Sequence, residues 1–317
     1  MIDLSIIIVS WNVEALLVEC LNSILRSPVS VGERVEGRPV VEIIVVDSGS
    51  TDGTVERLKR DYPQVTLLAQ AENIGFTRAN NLGLKIARGR HLLLLNPDTV
   101  VLDDALGTMI AYLDANPDVG LIGPHTRNTD GSTQSTRRRF PSLAVAFFES
   151  TWLQPYAPKH LLDSYYVVDG NGVRETIDVD WVQGSAIMAR REVYEQIGGL
   201  DEGYIMYSEE LDWCRRAKDA GWRVVYLGDA EIIHHGGKST EQAAARSHIL
   251  FQQSKLRYFR LYHGRLAATV LRLFLLANYA VQLGLETLKW LLGHKRALRS
   301  ERIRAYSQVL RSGLKGS

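Results

Sequence analysis

Glu42-Ile43-Ile44-Val45-Val46-Asp47-Ser48-Gly49-Ser50-Thr51-Asp52-Gly53-Thr54 passes from a short β-branched apolar run into turn and capping residues, then into a helical pattern at Thr54–Asp61. The same order recurs on both sides. Ser5-Ile6-Ile7-Ile8-Val9 precedes a helical stretch at Val13–Ser27, Val65–Ala69 precedes one at Thr77–Ala87, and His91–Leu95 is a further apolar run. Runs that are apolar throughout, with no polar alternation, belong to strands covered on both faces. Their alternation with helices predicts an α/β fold, a Rossmann-like, mostly parallel sheet flanked by helices. Such sheets bind ligands beyond the carboxyl ends of their strands. The residues there are Ser10-Trp11-Asn12, Asp47–Ser50 and Asn96-Pro97-Asp98, all polar or turn-forming.

The second half of the chain is less regular. Thr126–Ser135 reads as loop, Arg137–Pro141 as a basic knot and Asp169–Gly172 as a turn. Trp181–Met188 reads as a strand carrying Gly184, where another group approaches closely. Ser208–Ala220 reads as a helix ended by Gly221, and Trp222–Leu227 as a strand. From Gln242 onward the pattern is helical. Its longest uncharged stretch, Leu273–Leu285, covers 13 residues. A spanning helix needs about 20 apolar residues, so a segment lying on a surface is expected instead. The predicted organisation is a regular half at 1–124, a less regular half at 125–245, and a helical tail at 246–317.

Charge separates the tail from the body. Glu241–Ser317 holds 14 Lys and Arg against three Glu and no Asp, so it carries about +11 while the first 240 residues carry about −10. A basic tail on an acidic body suits an anionic partner, a membrane surface or a nucleic acid. Tyr258, Phe259 and Tyr262 interleave with Arg257 and Arg260, but apolar density through Leu291 favours lipid and no nucleic-acid partner is expected. Packing against a second subunit is the bland alternative. Cys20 and Cys214 have neither metal-ligand spacing nor a disulfide framework, which predicts reduced thiols and a cytoplasmic protein. The N-terminus lacks a basic, export-type leader.

Each chemical motif has a plain structural alternative. Asp47 stands at a strand end, where its carboxylate can accept from a nucleobase imide N–H; Ser, Thr and Asp around it also serve as a turn and helix cap. Asn73–Gly83 joins a turn to a helix start, with Arg78 placed to face a diphosphate; Asn80 and Gly83 can equally let the helix pack closely on the sheet. Asp98, delivered by a wholly apolar strand, is suited to a divalent ion bridging to a diphosphate; the alternative is an Asn-Pro-Asp turn. Glu209, Glu210 and Asp212 crowd a helix start, where they offset the dipole or furnish a general base. His234 and His235 end a strand-like run, and neutral imidazole is a common metal ligand; Lys238-Ser239 continues that motif with a charge suited to phosphate.

Taken in order over about residues 4–265, these motifs resemble glycosyltransferase family 2, in particular its bacterial rhamnosyltransferase-like branch. Ser5–Asn12 looks like the family's first strand and nucleotide-contacting turn. Asp47–Thr54 is similar to its Asp-x-x-Ser-x-Asp-Gly-Thr loop, and Asn73–Gly83 to the branch's Asn-x-Gly-Phe-x-x-x-Asn-x-Gly segment. Asn96-Pro97-Asp98 takes the place of the Asp-x-Asp metal motif, with the first acid absent. Gly199–Asp212 resembles the acceptor-side segment whose second acid, here Glu210, is the general base; Glu209 and Asp212 are the alternatives. His234 sits where relatives carry a metal- or diphosphate-contacting histidine.

The resemblance implies a GT-A fold and an inverting, metal-dependent hexosyltransferase of cell-surface polysaccharide synthesis. It places Ser10, Trp11, Asn12, Asp47, Asn73, Arg78, Asn80 and Asn96 at the nucleotide sugar, and Asp98 and His234 at Mg²⁺ or Mn²⁺. The implied donor is dTDP-rhamnose, with a UDP-sugar as alternative. The implied acceptor is a glycan or polyprenyl-diphosphate-linked hydroxyl, met at the inner membrane face by a peripheral protein, with a homodimer contact as the alternative use of the tail. The resemblance makes 1–124 the nucleotide-sugar-binding half and 125–245 the acceptor-binding and catalytic half. A nucleotidyltransferase would carry a Gly-rich, basic phosphate loop after the first strand, and Ser10–Glu14 is not one. A non-catalytic sugar-nucleotide binder would not need Asp98, Glu210 and His234 together.

Overall fold

A computed structural model of the 317-residue chain describes residues 1–168, 174–236 and 244–315. The expected turn at Asp169–Gly172 and the Lys238-Ser239 pair lie outside the described residues. The chain divides into two compact units. The first is Met1–Phe140, Tyr166–Glu202 and Glu209–Ser239; the second is Pro141–Tyr165, Gly203–Ser208 and Thr240–Ser317.

In the first unit, β1 (Leu4–Ser10), α1 (Glu14–Arg26), β2 (Ser30–Val31), β3 (Val40–Asp47), α2 (Thr54–Asp61), β4 (Thr66–Ala69), α3 (Phe76–Ile86) and β5 (His91–Leu95) alternate much as the sequence pattern predicts. β6 (Thr99–Val101), α4 (Ala105–Ala115), β7 (Val119–Arg127), β8 (Thr133–Gln134) and β9 (Arg137–Arg138) follow. Then come β10 (Ile177–Val179), β11 (Trp181–Val182), β12 (Ala186–Arg190), α7 (Arg191–Ile197), α8 (Glu209–Asp219) and β13 (Arg223–His234). The main sheet runs β10-β13-β7-β12-β5-β1-β3-β2, with β4 on β3 and β6 on β13. β1 pairs in parallel with both β3 and β5, and its register sets Ser10 opposite Asp47 and Ile8 opposite Leu95. Three strand ends therefore stop along one edge, which is where the polar clusters lie. The second half departs from parallel pairing because β12 runs antiparallel between β5 and β7.

The two faces of the sheet are covered differently. Leu4, Ile6 and Ile8 of β1 join Ile43 and Val45 of β3 in a core with Leu17, Leu21 and Ile24 of α1 and Leu106, Met109 and Leu113 of α4. Alternate residues point the other way, as the two-residue strand period requires. There α3 approaches β1 so closely that a Cβ on Gly83 would overlap the Ile7 side chain. The packing reading of Gly83 is thus the one the fold uses. Trp181–Met188 is broken in two: β11 leaves to pair with β9, and β12 joins the main sheet.

The second unit is helical, with α5 (Leu143–Phe148), α6 (Lys159–Tyr166), α9 (Ala244–Tyr262), α10 (Gly264–Leu291) and α11 (Arg296–Ser312). The tail does not pack only on itself: Phe147 of α5 meets Phe274 of α10 edge to face at 4.7 Å between ring centroids. At 28 residues, α10 is long and apolar enough to cross a membrane, although 28 % of its most apolar window is buried within the chain. Leu271, Leu275, Asn278, Tyr279 and Glu286 form its buried face, and Glu286 pairs with Arg299 of α11 at 2.6 Å. Its other face exposes Leu266, Val270, Leu273, Val281, Leu285 and Leu288.

Thermal melts of two glycine variants test this packing. Gly83→Val is expected to cost about 1–3 kcal/mol, because the added carbons have no space against Ile7. Gly284→Ala, in α10 with nothing near the new methyl, is expected to gain about 0.5–1 kcal/mol.

Candidate active site

The loops after β1 and β3 are stitched together by side chains. Asn12 has a left-handed φ of 52°, and its Oδ1 accepts from the Thr51 amide at 2.8 Å while its own amide donates to Ser50 Oγ at 2.9 Å. Asp47 is fully buried, and both its oxygens accept from Ser50, one from the amide and one from the hydroxyl. In this arrangement the Asp47 carboxylate shapes the loop. Asn73 does the same one loop away: its Oδ1 accepts from the Gly75 amide at 2.9 Å and from the Ser48 hydroxyl at 3.3 Å. Trp11 is half-buried beside them, and the Ser10 Oγ is buried with no hydrogen-bond partner among the described residues.

Arg78, at the start of α3, is exposed and pairs with Glu202 at 3.5 Å. Asn80, only 1 % exposed, donates to the Phe76 carbonyl of its own helix, the contact that its packing reading describes. The neighbouring Asn81 does what the sequence reading missed. Its amide donates to the Leu200 carbonyl at 2.9 Å and to Glu202 at 3.1 Å, and accepts from the Leu200 amide at 2.9 Å, clamping the Gly199–Glu202 segment onto α3.

Asp98 and His234 meet although 135 residues separate them. β13 pairs with β6 so that His234 lies opposite Thr99, and the His235 amide donates to the Asp98 carbonyl at 2.9 Å. Both side chains are nearly buried, and Asp98 Oδ1 lies 3.2 Å from His234 Nε2. Gln134 sets the imidazole tautomer. Its Nε2 donates to the His234 carbonyl at 2.7 Å, so its Oε1, 3.0 Å from Nδ1, must accept the Nδ1–H. That leaves Nε2 facing the Asp98 carboxylate, where the two could share a cation. Asn96 Nδ2 is 3.4 Å from the same nitrogen, and Asn96 Oδ1 is buried without a hydrogen-bond partner among the described residues.

Among the described residues no group of three or more His, Cys, Asp or Glu is gathered for a metal. Asp98, His234 Nε2 and the unsatisfied Asn96 amide oxygen nevertheless suit an ion such as Mg²⁺ or Mn²⁺ and would hold one if it bound here. Neither cysteine competes: burial pushes the Cys20 and Cys214 thiols up to about 12, so both stay protonated.

The three acids of α8 separate by environment. Asp212 is buried and ion-paired to Arg216 at 2.8 Å, and Arg216 goes on to the Ile197 and Gly199 carbonyls at 2.7 Å each. In this arrangement Asp212 braces α8. Glu209 is buried, and burial together with the adjacent Glu210 charge raises its carboxyl well above the usual range. Glu210 is half-buried and lies against Gly184, about 3.5 Å from where a Cβ there would sit. Ser185, the next residue, accepts from the Asn96 amide at 2.9 Å. The break between β11 and β12 thus leaves a three-residue bridge, Gln183–Ser185, with Glu210 beside its Gly184 and the Asn96 amide tied to its Ser185.

Residues 5–198 match the family described as Glycosyl transferase family 2, and the chain belongs to that family. It is 34 % identical over 226 residues to the N-acetylglucosaminyl-diphospho-decaprenol L-rhamnosyltransferase of Mycobacterium tuberculosis, covering 67 % of this chain and 71 % of that one. It is 27 % identical to the rhamnosyltransferase WbbL of Escherichia coli, covering 58 % and 69 %. Among solved structures it resembles the mannosyltransferase PcManGT of Pyrobaculum calidifontis in complex with GDP-Man and Mn²⁺, with a TM-score of 0.55 and 18 % identity over 99 % of this chain and 86 % of that one. It also resembles S. aureus TarS 1-349, with a TM-score of 0.53 and 18 % identity over 99 % and 89 %. The fold is GT-A, as the sequence motifs imply.

The raised Glu209 carboxyl gives stability a sign with pH. The folded state holds this proton more tightly than the unfolded chain does, so the stability it contributes is full below the unfolded value of about 4.3. It is lost as pH rises through the folded value. Glu209→Gln removes that loss. Melts from pH 4 to 8 are expected to show the variant gaining on the wild type as pH rises; parallel curves would mean that Glu209 is ionised and solvated in the fold.

Proposed function

We propose that this glycosyltransferase transfers rhamnose from dTDP-rhamnose to a hydroxyl of a lipid-diphosphate-linked glycan, inverting the anomeric carbon in one displacement. The observation that carries the reading is the facing pair Asp98 and His234, 3.2 Å apart at the carboxyl edge of the sheet, with Glu210 beside Gly184 of the Gln183–Ser185 bridge. The names of the two rhamnosyltransferase relatives support the sugar, and the mycobacterial one supports the lipid diphosphate. A UDP-sugar donor is the second reading.

Asp98 and His234 Nε2 would hold Mg²⁺ or Mn²⁺, with Asn96 Oδ1 close by. When bound, the ion neutralises charge developing on the departing nucleoside diphosphate. The stitched Asn12–Thr51 and Ser48–Asn73 loops shape the nucleotide side, with Ser10 Oγ and Trp11 facing it and Arg78 at its rim. Proton removal from the acceptor falls to Glu210. Its neighbour Glu209 is buried, with its carboxyl raised by that burial and by the Glu210 charge, and Asp212 is paired with Arg216. Glu210 is one methylene longer than an aspartate and lies beside Gly184. The basic tail and the exposed apolar face of α10 seat the enzyme on an anionic membrane surface at the cytoplasmic face, at about 1 kcal/mol per basic residue near the headgroups.

Steady-state transfer with dTDP-rhamnose and a lipid-diphosphate acceptor tests the roles. Glu210→Gln is expected to keep donor affinity and lower kcat by about 10²–10⁴-fold. Asp212→Asn is expected to lower the melting temperature first, because it leaves Arg216 unpaired. A nearly silent Glu210→Gln beside a crippled but well-folded Asp212→Asn would move the base to Asp212.

A further inference from the structure

The second unit contains a cavity of about 710 Å³ whose lining comes from that unit alone. That volume lies in the range of small-molecule sites. Its polar lining is cationic: Arg257 and Arg260 from α9, Arg265 and Arg272 from α10, and Lys315 beyond α11. The rest is largely apolar, including Ile205, Leu250, Leu256 and Leu261. Asp and Glu are absent from the wall, and none of the described carboxylates forms an ion pair with Arg260, Arg265 or Lys315. Among the unit's described acids, Glu149 pairs with Lys255, Asp163 with Lys159 and Glu286 with Arg299. Arg260 also offsets the dipole at the end of α9.

Two of these cations are held in place. The Arg257 guanidinium lies over the Tyr204 ring at 5.1 Å and occupies the space that a Cβ on Gly203 would fill. Arg272 Nε donates to the Gly313 carbonyl at 2.7 Å, a neutral partner that orients the guanidinium and leaves its charge intact. Five cations around one concavity repel each other, and a multivalent anion relieves that repulsion with bidentate hydrogen bonds.

The geometry of α10 identifies the carrier of that anion. Arg265, Thr269 and Arg272 share the cavity side of the helix. Leu266, Val270, Leu273, Val281 and Leu288 lie about 100° further round, at 3.6 residues per turn, as an exposed charge-free stripe. One helix therefore offers a face for acyl chains beside a cavity for phosphate. We propose that this cavity binds the terminal phosphate or diphosphate of a membrane lipid, the stripe resting in the same leaflet. The inference rests on the membrane reading given above and adds to it a discrete site with a headgroup preference.

The test uses full-length protein and two probes, inorganic pyrophosphate by calorimetry and vesicles by co-sedimentation. Vesicles contain phosphatidic acid or phosphatidylglycerol at matched surface potential. Arg260→Gln with Arg265→Gln removes two cavity cations; Arg246→Gln with Arg304→Gln removes two exposed cations outside it and serves as control. Wild type and control are expected to bind pyrophosphate and to prefer phosphatidic acid, and the cavity variant is expected to lose at least tenfold in pyrophosphate affinity and the lipid preference. Equal weakening of both variants, with no pyrophosphate binding and no preference between lipids, would overturn the site while leaving general membrane attraction standing. Pyrophosphate binding that only the cavity variant loses, with no sedimentation on either vesicle, would overturn the lipid as its source and the membrane reading with it.

Discussion

Asp98 and His234 are forced to face each other, and much of the first unit serves that juxtaposition. β5 delivers Asp98 through five fully buried residues, so the carboxylate has little freedom to withdraw. β13 reaches the same point by pairing with β6, and Gln134 fixes both the backbone and the ring of His234. A carboxylate and an imidazole nitrogen held 3.2 Å apart in a largely dry setting are pre-positioned to share a cation. The proposed metal site would rest on that juxtaposition.

Glu210, the proposed general base, is positioned by a different device, a strand that fails to continue. Trp181-Val182 pairs with β9, Ala186–Arg190 pairs with β5, and Gln183-Gly184-Ser185 joins them. Glu210 lies beside Gly184. Ser185 meanwhile ties the bridge to the Asn96 amide. The Arg216 brace and the Asn81 clamp hold α8 and the Gly199–Glu202 segment, and with them the proposed acceptor-side acid.

The parallel half of the fold was legible because buried strands leave uninterrupted apolar runs, and α2 matched its predicted bounds to the residue. Asp98, His234 and Glu210 were legible as polar residues at element ends. What escaped notice depends on direction and on partners distant in sequence. Asn80 and Asn81 are neighbours in one motif, yet a helix turns about 100° between them, so one packs inside and the other clamps a loop. Gln134 sits in a stretch that reads only as loop, and nothing local announces that it will meet His234. The Asp212–Arg216 brace did leave a signal, an acid and an arginine four residues apart on a predicted helix. The strand break at Gly184 was foreshadowed by the glycine itself, although periodicity alone ran the strand through it.

The measurement that bears most directly on this account is electron spin-echo envelope modulation of Mn²⁺ bound to the protein with a nucleoside diphosphate. If Asp98 and His234 Nε2 share the ion, the spectrum will carry the ¹⁴N coupling of a directly ligated imidazole, and His234→Ala will abolish it while leaving the fold intact. A wild-type spectrum without nitrogen coupling, from protein that transfers sugar in Mn²⁺, would contradict the placement of the cation between them.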